Sequence, residues 1–117
     1  MCSSQKLILL LVLASFSVIA SPLIAQDLDN ITISGRVTDQ NGAVIPGAIV
    51  TATLVKTKVE RTVVTDDDGR YKLIQLEPGV YSIKASFTNF ATEEKTDLTT
   101  VAGQNVQLNF TLTPAGV

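Results

Sequence analysis

From Ile31 to Leu112 apolar and polar residues alternate with a period of two, and turn residues interrupt the alternation at short intervals. Ile31, Ile33, Gly35 and Val37 alternate with Thr32, Ser34, Arg36 and Thr38. In an extended chain that puts one set on a core face and the other in water, which predicts a first strand. Asp39-Gln40-Asn41-Gly42 supplies turn chemistry, because Asn and Gly tolerate positive φ, and Pro46-Gly47 marks a second bend. Ala48, Val50, Ala52 and Leu54 then share one face, with Ile49, Thr51 and Thr53 on the other. Thr51 reads as an ordinary surface position, and the small alanines predict close packing.

Lys56 to Glu60 reads as a solvated connection. Arg61 to Thr65 is β-branched and strand-like, but adjacent Val63 and Val64 leave its facing open. Asp66-Asp67-Asp68-Gly69 is the next turn, followed by a strand on which Tyr71 and Leu73 share a face, and then by Leu76. Pro78-Gly79 fits a tight turn. Tyr81, Ile83 and Ala85 alternate with Ser82 and Lys84, so both tyrosines are expected to point inward. Thr92 to Thr100 is polar and less regular. Val106, Leu108, Phe110 and Leu112 alternate without a break against Gln107, Asn109 and Thr111, which predicts one continuous last strand. About seven short strands with frequent turn signals predict an all-β, immunoglobulin-like or prealbumin-like sandwich.

The first 25 residues follow a different rule. Lys6 is the only charge before an apolar run from Leu7 to Ala20, interrupted by Ser15 and Ser17, and Ser21-Pro22-Leu23-Ile24-Ala25 ends on a small residue. That is the order of a cleavable signal peptide over residues 1–25, with the mature domain over residues 26–117 beginning at Gln26. A membrane anchor would need about 20 mainly apolar residues, and this run is shorter and broken. The expected location is therefore secreted, or periplasmic or outer-membrane associated in a Gram-negative source, with no membrane span after cleavage.

Cleavage removes Lys6 from 9 Lys and Arg, leaving 8 against 11 Asp and Glu, a net charge of −3 that attracts neither nucleic acid nor an anionic membrane. Cys2 is the single cysteine and precedes the apolar run, whereas a lipoprotein signal places its cysteine after it. The chain has no histidine. The imidazole base, the Ser-His-Asp and Cys-His arrangements and the His and Cys ligands of zinc sites are thus missing. The expectation is a protein that is not an enzyme, with no catalytic, cofactor-binding or metal residue and no cofactor. Without a disulfide, a domain this small must rest on its own core.

The sequence also carries a combination of turn glycines, proline and aromatics: Thr65-Asp66, Gly69, Tyr71, Leu73, Leu76, Pro78, Gly79, Tyr81, Ile83 and Phe90. With Ile33-Ser34-Gly35-Arg36-Val37-Thr38-Asp39 and Gly42-Ala43-Val44-Ile45-Pro46-Gly47-Ala48 ahead of it, this resembles the carboxypeptidase regulatory-like domain family over essentially the whole mature chain. One departure is Asn89, where the family usually has glycine before the aromatic. Asn is the next most tolerant residue of positive φ, so the bend is expected to survive. The resemblance implies a transthyretin-like sandwich acting as an accessory or adhesive module, of the kind found beside metallocarboxypeptidase domains and at the N-terminus of bacterial TonB-dependent receptors. The Val44-Ile45-Pro46-Gly47 phrase is most similar to the receptor-type version.

Local features that suggest chemistry have plainer structural readings. The calcium-loop pattern around Asp66-Asp67-Asp68-Gly69 would need an acid at Val64 and Glu at Gln75, so the stretch reads as a solvated turn. Asn30-Ile31-Thr32 and Asn109-Phe110-Thr111 match the glycosylation triplet but read as structural. Glu93-Glu94-Lys95 reads as loop or edge charge that discourages aggregation. An internal isopeptide bond to Asn109 would need a lysine on the first strand, where the only cation is Arg36, whose guanidinium is no amine nucleophile. The leading functional expectation is a non-catalytic accessory module of the cell envelope, binding another protein or serving a structural role. The alternative is a carbohydrate-binding module of the starch-binding-like sandwich type. Sugar platforms need exposed aromatic faces; there is no tryptophan, and with the tyrosines inward only Phe87 and Phe90 are left, which the plainer reading packs over an open end of the core.

Overall fold

The computed structural model describes residue 18 and residues 29–116, and among these no α-helix occurs. The expected leader and the cut before Gln26 fall outside the described residues, Val18 excepted. Eight strands follow: β1 (Ile31–Asp39), β2 (Ile49–Leu54), β3 (Glu60–Val64), β4 (Arg70–Leu76), β5 (Val80–Ser86), β6 (Glu93–Thr99), β7 (Asn105–Gln107) and β8 (Phe110–Leu112). They form two four-stranded sheets. One runs β4-β1-β7 with β8 also on β1, the other β3-β2-β5-β6. All pairings are antiparallel except those of β7 and β8, which lie parallel to β1. The expected all-β sandwich is the observed fold.

The alternation delivers the core. Ile31, Ile33, Gly35 and Val37 are buried while their neighbours in β1 are half-exposed, and the inner faces of the two sheets meet on them. Between β2 and β5 the register sets large residues against small ones, Val50 opposite Ala85 and Ala52 opposite Ile83. All four are fully buried, which is the close packing expected of the alanines. Tyr71 and Tyr81 are 4% and 3% exposed, inward as expected. Tyr71 stacks obliquely on Phe110 at 6.2 Å between ring centroids.

The two Asp-x-x-Gly turns are built alike. Asp39 Oδ1 accepts the N–H groups of Asn41 and Ala43, and Asp66 Oδ1 those of Asp68 and Arg70. Gly69, at φ 73°, is required on two counts: a side chain there would be strained, and its Cβ would meet Val37 O at 2.8 Å. Two buried threonines tie the ends of the sandwich. Thr65 Oγ1 donates to Ile45 O and accepts from Ala48 N, and Thr100 Oγ1 donates to Gly79 O and accepts from Gly79 N.

Four readings of the sequence need correction or completion. The last strand is not continuous. β7 and β8 keep one register on β1, Val106 opposite Ile33 and Phe110 opposite Val37, yet the ladder breaks between them. There the Leu108 carbonyl accepts a hydrogen bond from the Tyr71 hydroxyl, and Asn109 Oδ1, a side-chain atom, accepts from Arg36 N at 2.9 Å. Secondly, the irregular stretch from Thr92 to Thr100 contains strand β6. It lies at a sheet edge, and a register shift opposite Tyr81–Ile83 together with left-handed Asp97 (φ 60°) disrupts the period of two. Thirdly, Thr51 is not an ordinary surface residue: at 9% exposure it sits between β3 and β5, 3.2 Å from Thr62 Oγ1. Lastly, the open facing of β3 resolves with Val63 opposite buried Val50 and packed on the core, and Val64 60% exposed. Asn89 adopts φ 71°, so the bend is kept without glycine.

Candidate functional site

The outer face of the β4-β1-β7 sheet gathers residues that lie far apart in the chain. Period-two alternation turns Ser34 and Arg36 outward on β1, and register sets Arg70 directly opposite Arg36, with Lys72 opposite Ser34. On the far side of β1, Gln107 lies opposite Ser34. The result is two rows across the sheet, Arg70–Arg36–Asn109 and Lys72–Ser34–Gln107. Val63 and Val64 of β3 wall one side, and the whole forms an open groove of about 800 Å³.

The charges in this groove are unbalanced. Among the described residues no carboxylate lies within 4.0 Å of Arg36, Arg70 or Lys72, and the one ion pair is Lys95–Glu93, elsewhere. Asp66 stands at the rim, but its Oδ1 already accepts two backbone N–H groups. The bond from Arg70 foremost holds its carboxyl below the usual range; desolvation opposes it, and the Asp68 bond and the charges of Arg70 and Arg36 add to the lowering. Val37 N donates to Gly69 O at 2.8 Å, which makes 37 and 69 the hydrogen-bonded pair of the ladder. Arg36 and Arg70 are therefore a non-hydrogen-bonded pair, the kind in which facing side chains lie closer. Like charges so placed repel by roughly 0.2–1 kcal/mol.

Guanidinium, ammonium and amide donors on one face can hold an anion or a run of hydrogen-bond acceptors. The two tyrosine hydroxyls are occupied by backbone carbonyls, Tyr71 on Leu108 O and Tyr81 on Glu77 O. Burial pushes both phenols up from their ordinary range, and for Tyr81 the Glu77 charge adds to it. Of the remaining aromatics, Phe87 is 37% exposed and Phe90 is half-buried against the core, their centroids 6.1 Å apart. They lie outside the groove. Among the described residues no cluster of three or more Asp, Glu, His or Cys could hold a metal.

Asp66-Asp67-Asp68-Gly69 is the hydrogen-bonded turn described above, with two of its amides on the Asp66 carboxylate. Asn109, expected inside the last strand, lies exposed in the gap between β7 and β8, its Oδ1 accepting from Arg36 N. Glu93-Glu94-Lys95 lies on edge strand β6. The groove itself was not foreseen. In the sequence Arg36, Gln107 and Asn109 are polar positions, Arg36 and Asn109 entering also through the isopeptide and glycosylation patterns, and the signal that would have found the site, Arg36 beside Arg70, exists only once β1 and β4 are paired.

Comparison with known proteins agrees with this architecture. The model of the carboxypeptidase regulatory-like domain matches residues 32–113. No curated protein matches the chain. Among solved structures, a candidate carbohydrate-binding protein from Bacteroides uniformis is 19% identical over 72% of this chain and 41% of its own, with TM-score 0.58. Catechol 1,2-dioxygenase from Acinetobacter radioresistens is 14% identical over 79% of this chain and 54% of its own, with TM-score 0.57. The dioxygenase domain of a dioxygenase–carbohydrate-binding fusion from Streptomyces sp. SirexAA-E is 14% identical over 80% of this chain and 86% of its own, with TM-score 0.61. The chain thus spans about half or less of the first two proteins, and at these identities the likeness is one of fold.

Proposed function

The chain belongs to the carboxypeptidase regulatory-like domain family, and from that premise we propose that it is an exported, non-catalytic module that binds another protein of the cell envelope through the outer face of the β4-β1-β7 sheet. The observation that carries this reading is the groove, in which Arg36, Arg70 and Lys72 lack carboxylate partners among the described residues. Export rests on the charge, apolar run and small residue in signal-peptide order at the N-terminus. The non-catalytic part rests on a chain without histidine and on tyrosine hydroxyls already bonded to the backbone.

A glycan ligand is the second reading, favoured by the fold shared with a candidate carbohydrate-binding protein and by the half-open Phe87 ring. It is weaker, because both tyrosines are buried and the groove wall is aliphatic, so no aromatic platform faces the ligand.

Site-directed photo-cross-linking in the exporting cell tests the proposal. A photoreactive residue at position 34 or 107 should give a discrete protein adduct, and one at position 84, on the other sheet, should not. Mass spectrometry of the same material should find a mature terminus at Gln26. Adducts from position 84 alone, or an intact Met1 terminus, would refute the respective halves of the reading.

A further inference from the structure

We propose that the groove takes an extended acidic segment of its partner, with carboxylates at alternate positions of the segment seated on the Arg36–Arg70 row and the Lys72 row; this deepens the binding-module reading and rests on it.

The spacing of the cations argues for such a ligand. Arg36 and Arg70 face one another across two strands, and Ser34 and Lys72 form the next outward-facing pair along the same strands. Successive rows on one face lie two residues, about 6.6 Å, apart. An extended chain running along the groove presents its own alternate side chains at the same interval. Carboxylates at every second position would therefore meet both rows with no adjustment of backbone period, whereas a spacing of three would put the second one on the wrong face.

Charge argues in the same direction. The whole chain carries a formal net charge of −2, yet three cations share this face with Asp66 as the one carboxylate of the lining. The close Arg36–Arg70 pair is self-repelling in the free protein. A carboxylate seated between the two guanidinium groups replaces that repulsion with charge-assisted hydrogen bonds, which are stronger than neutral ones. Arg36 and Arg70 make no side-chain hydrogen bond among the described residues, so their donors are free to act.

A peptide fits better than an acidic sugar. The walls at Val63 and Val64 are aliphatic, and Tyr71 lines the groove with a ring that is 4% exposed, so nothing offers a sugar ring a flat π-face. Beside the groove, β3 is the edge strand of its sheet. An uncovered edge is where an extended peptide can add main-chain hydrogen bonds.

The test is a binding titration of the exported protein with a short synthetic peptide of alternating Glu and Thr. Comparison probes are its Gln-for-Glu counterpart, a peptide with Glu at every third position, and an oligogalacturonate. The alternating acidic peptide should bind, more weakly as salt is raised, and Arg36→Gln or Arg70→Gln should each weaken it by about tenfold or more. Lys72→Gln should weaken it less, and Lys84→Gln, outside the groove, should leave it unchanged. Melting curves of each variant separate lost binding from lost fold. Equal binding of the third-position peptide, tighter binding of the oligogalacturonate, or insensitivity to both arginine changes overturns the inference. If the acidic peptide fails while cross-links still form from positions 34 and 107, this inference falls and the binding-module reading stands; loss of the cross-links removes both.

Discussion

The two sheets of this sandwich use their outer faces in opposite ways. On the β3-β2-β5-β6 sheet hydroxyls bridge neighbouring strands and opposite charges share a row: Thr51 Oγ1 lies 3.2 Å from Thr62 Oγ1, Ser82 Oγ donates to Glu94, and Lys84 stands opposite Glu94 in register without closing an ion pair. On the β4-β1-β7 sheet Arg36 faces Arg70, and among the described residues no carboxylate lies within 4.0 Å of the cations. The interiors of the sheets differ too. The first ladder is antiparallel throughout, whereas the second is interrupted at its centre, where Gly35, Tyr71 and Asn109 take over from ordinary backbone pairing. A face that sets opposite charges in one row has little to gain from a bound ion. One that keeps a like-charge pair is poised to improve on meeting an anion.

The irregular centre is the first place to break that contrast. Tyr71→Ala removes a buried ring packed on Phe110 as well as the bond to Leu108 O, and should cost about 3–5 kcal/mol in urea unfolding. Tyr71→Phe keeps the ring and should cost about 1 kcal/mol. The folded-state phenol titrates above its unfolded range because it is desolvated. Its contribution is therefore complete below about pH 10 and is lost as pH rises further, and the Phe variant should lack that part of the alkaline decline.

Gly35→Ala should come next. A Cβ at that position would sit 1.8 Å from Leu108 O, so β7 and β8 must move off β1. A loss of about 1–3 kcal/mol, or more if the strands cannot shift, is expected from thermal or urea unfolding. An unchanged midpoint would show that the interruption is not held by this close approach.

On the β3-β2-β5-β6 sheet, Thr51→Ala should cost about 1 kcal/mol, through lost packing and the lost hydroxyl pair with Thr62. Behaviour like a bare surface change, within about 0.5 kcal/mol, would mean that this face is less organised than its geometry indicates.

The smallest effect should also differ in sign. Arg70→Glu turns the repelling pair with Arg36 into an attracting one, and should stabilise the free domain by roughly 0.2–1 kcal/mol. Lys84→Glu, which sets like charges opposite each other on the other sheet, should destabilise by a similar amount. If both changes destabilise equally, the two faces are not different in the way described.

Much of this molecule was determined by its sequence alone. The strands β1, β2, β4 and β5, the two Asp-x-x-Gly turns and the inward tyrosines follow from a local period of two and from residues that tolerate particular backbone angles, and the family shows in a resemblance of motifs that the family match bears out. The missing histidine removes whole classes of chemistry without any reference to shape. Tertiary structure decided the rest, because pairing is non-local. Edge strand β6 is hidden in the sequence by a register shift and by Asp97 at positive φ, and the facing of Val63 and Val64 depends on which of them meets Val50. The break at Leu108 leaves the alternation of Val106 to Leu112 untouched, since its cause is a glycine in β1 and a tyrosine in β4 that reach the same carbonyl from distant parts of the chain. The site belongs to this second group: Arg36 and Arg70 are unremarkable outward residues until antiparallel register sets one against the other, and only then does their shared charge become a property of the protein.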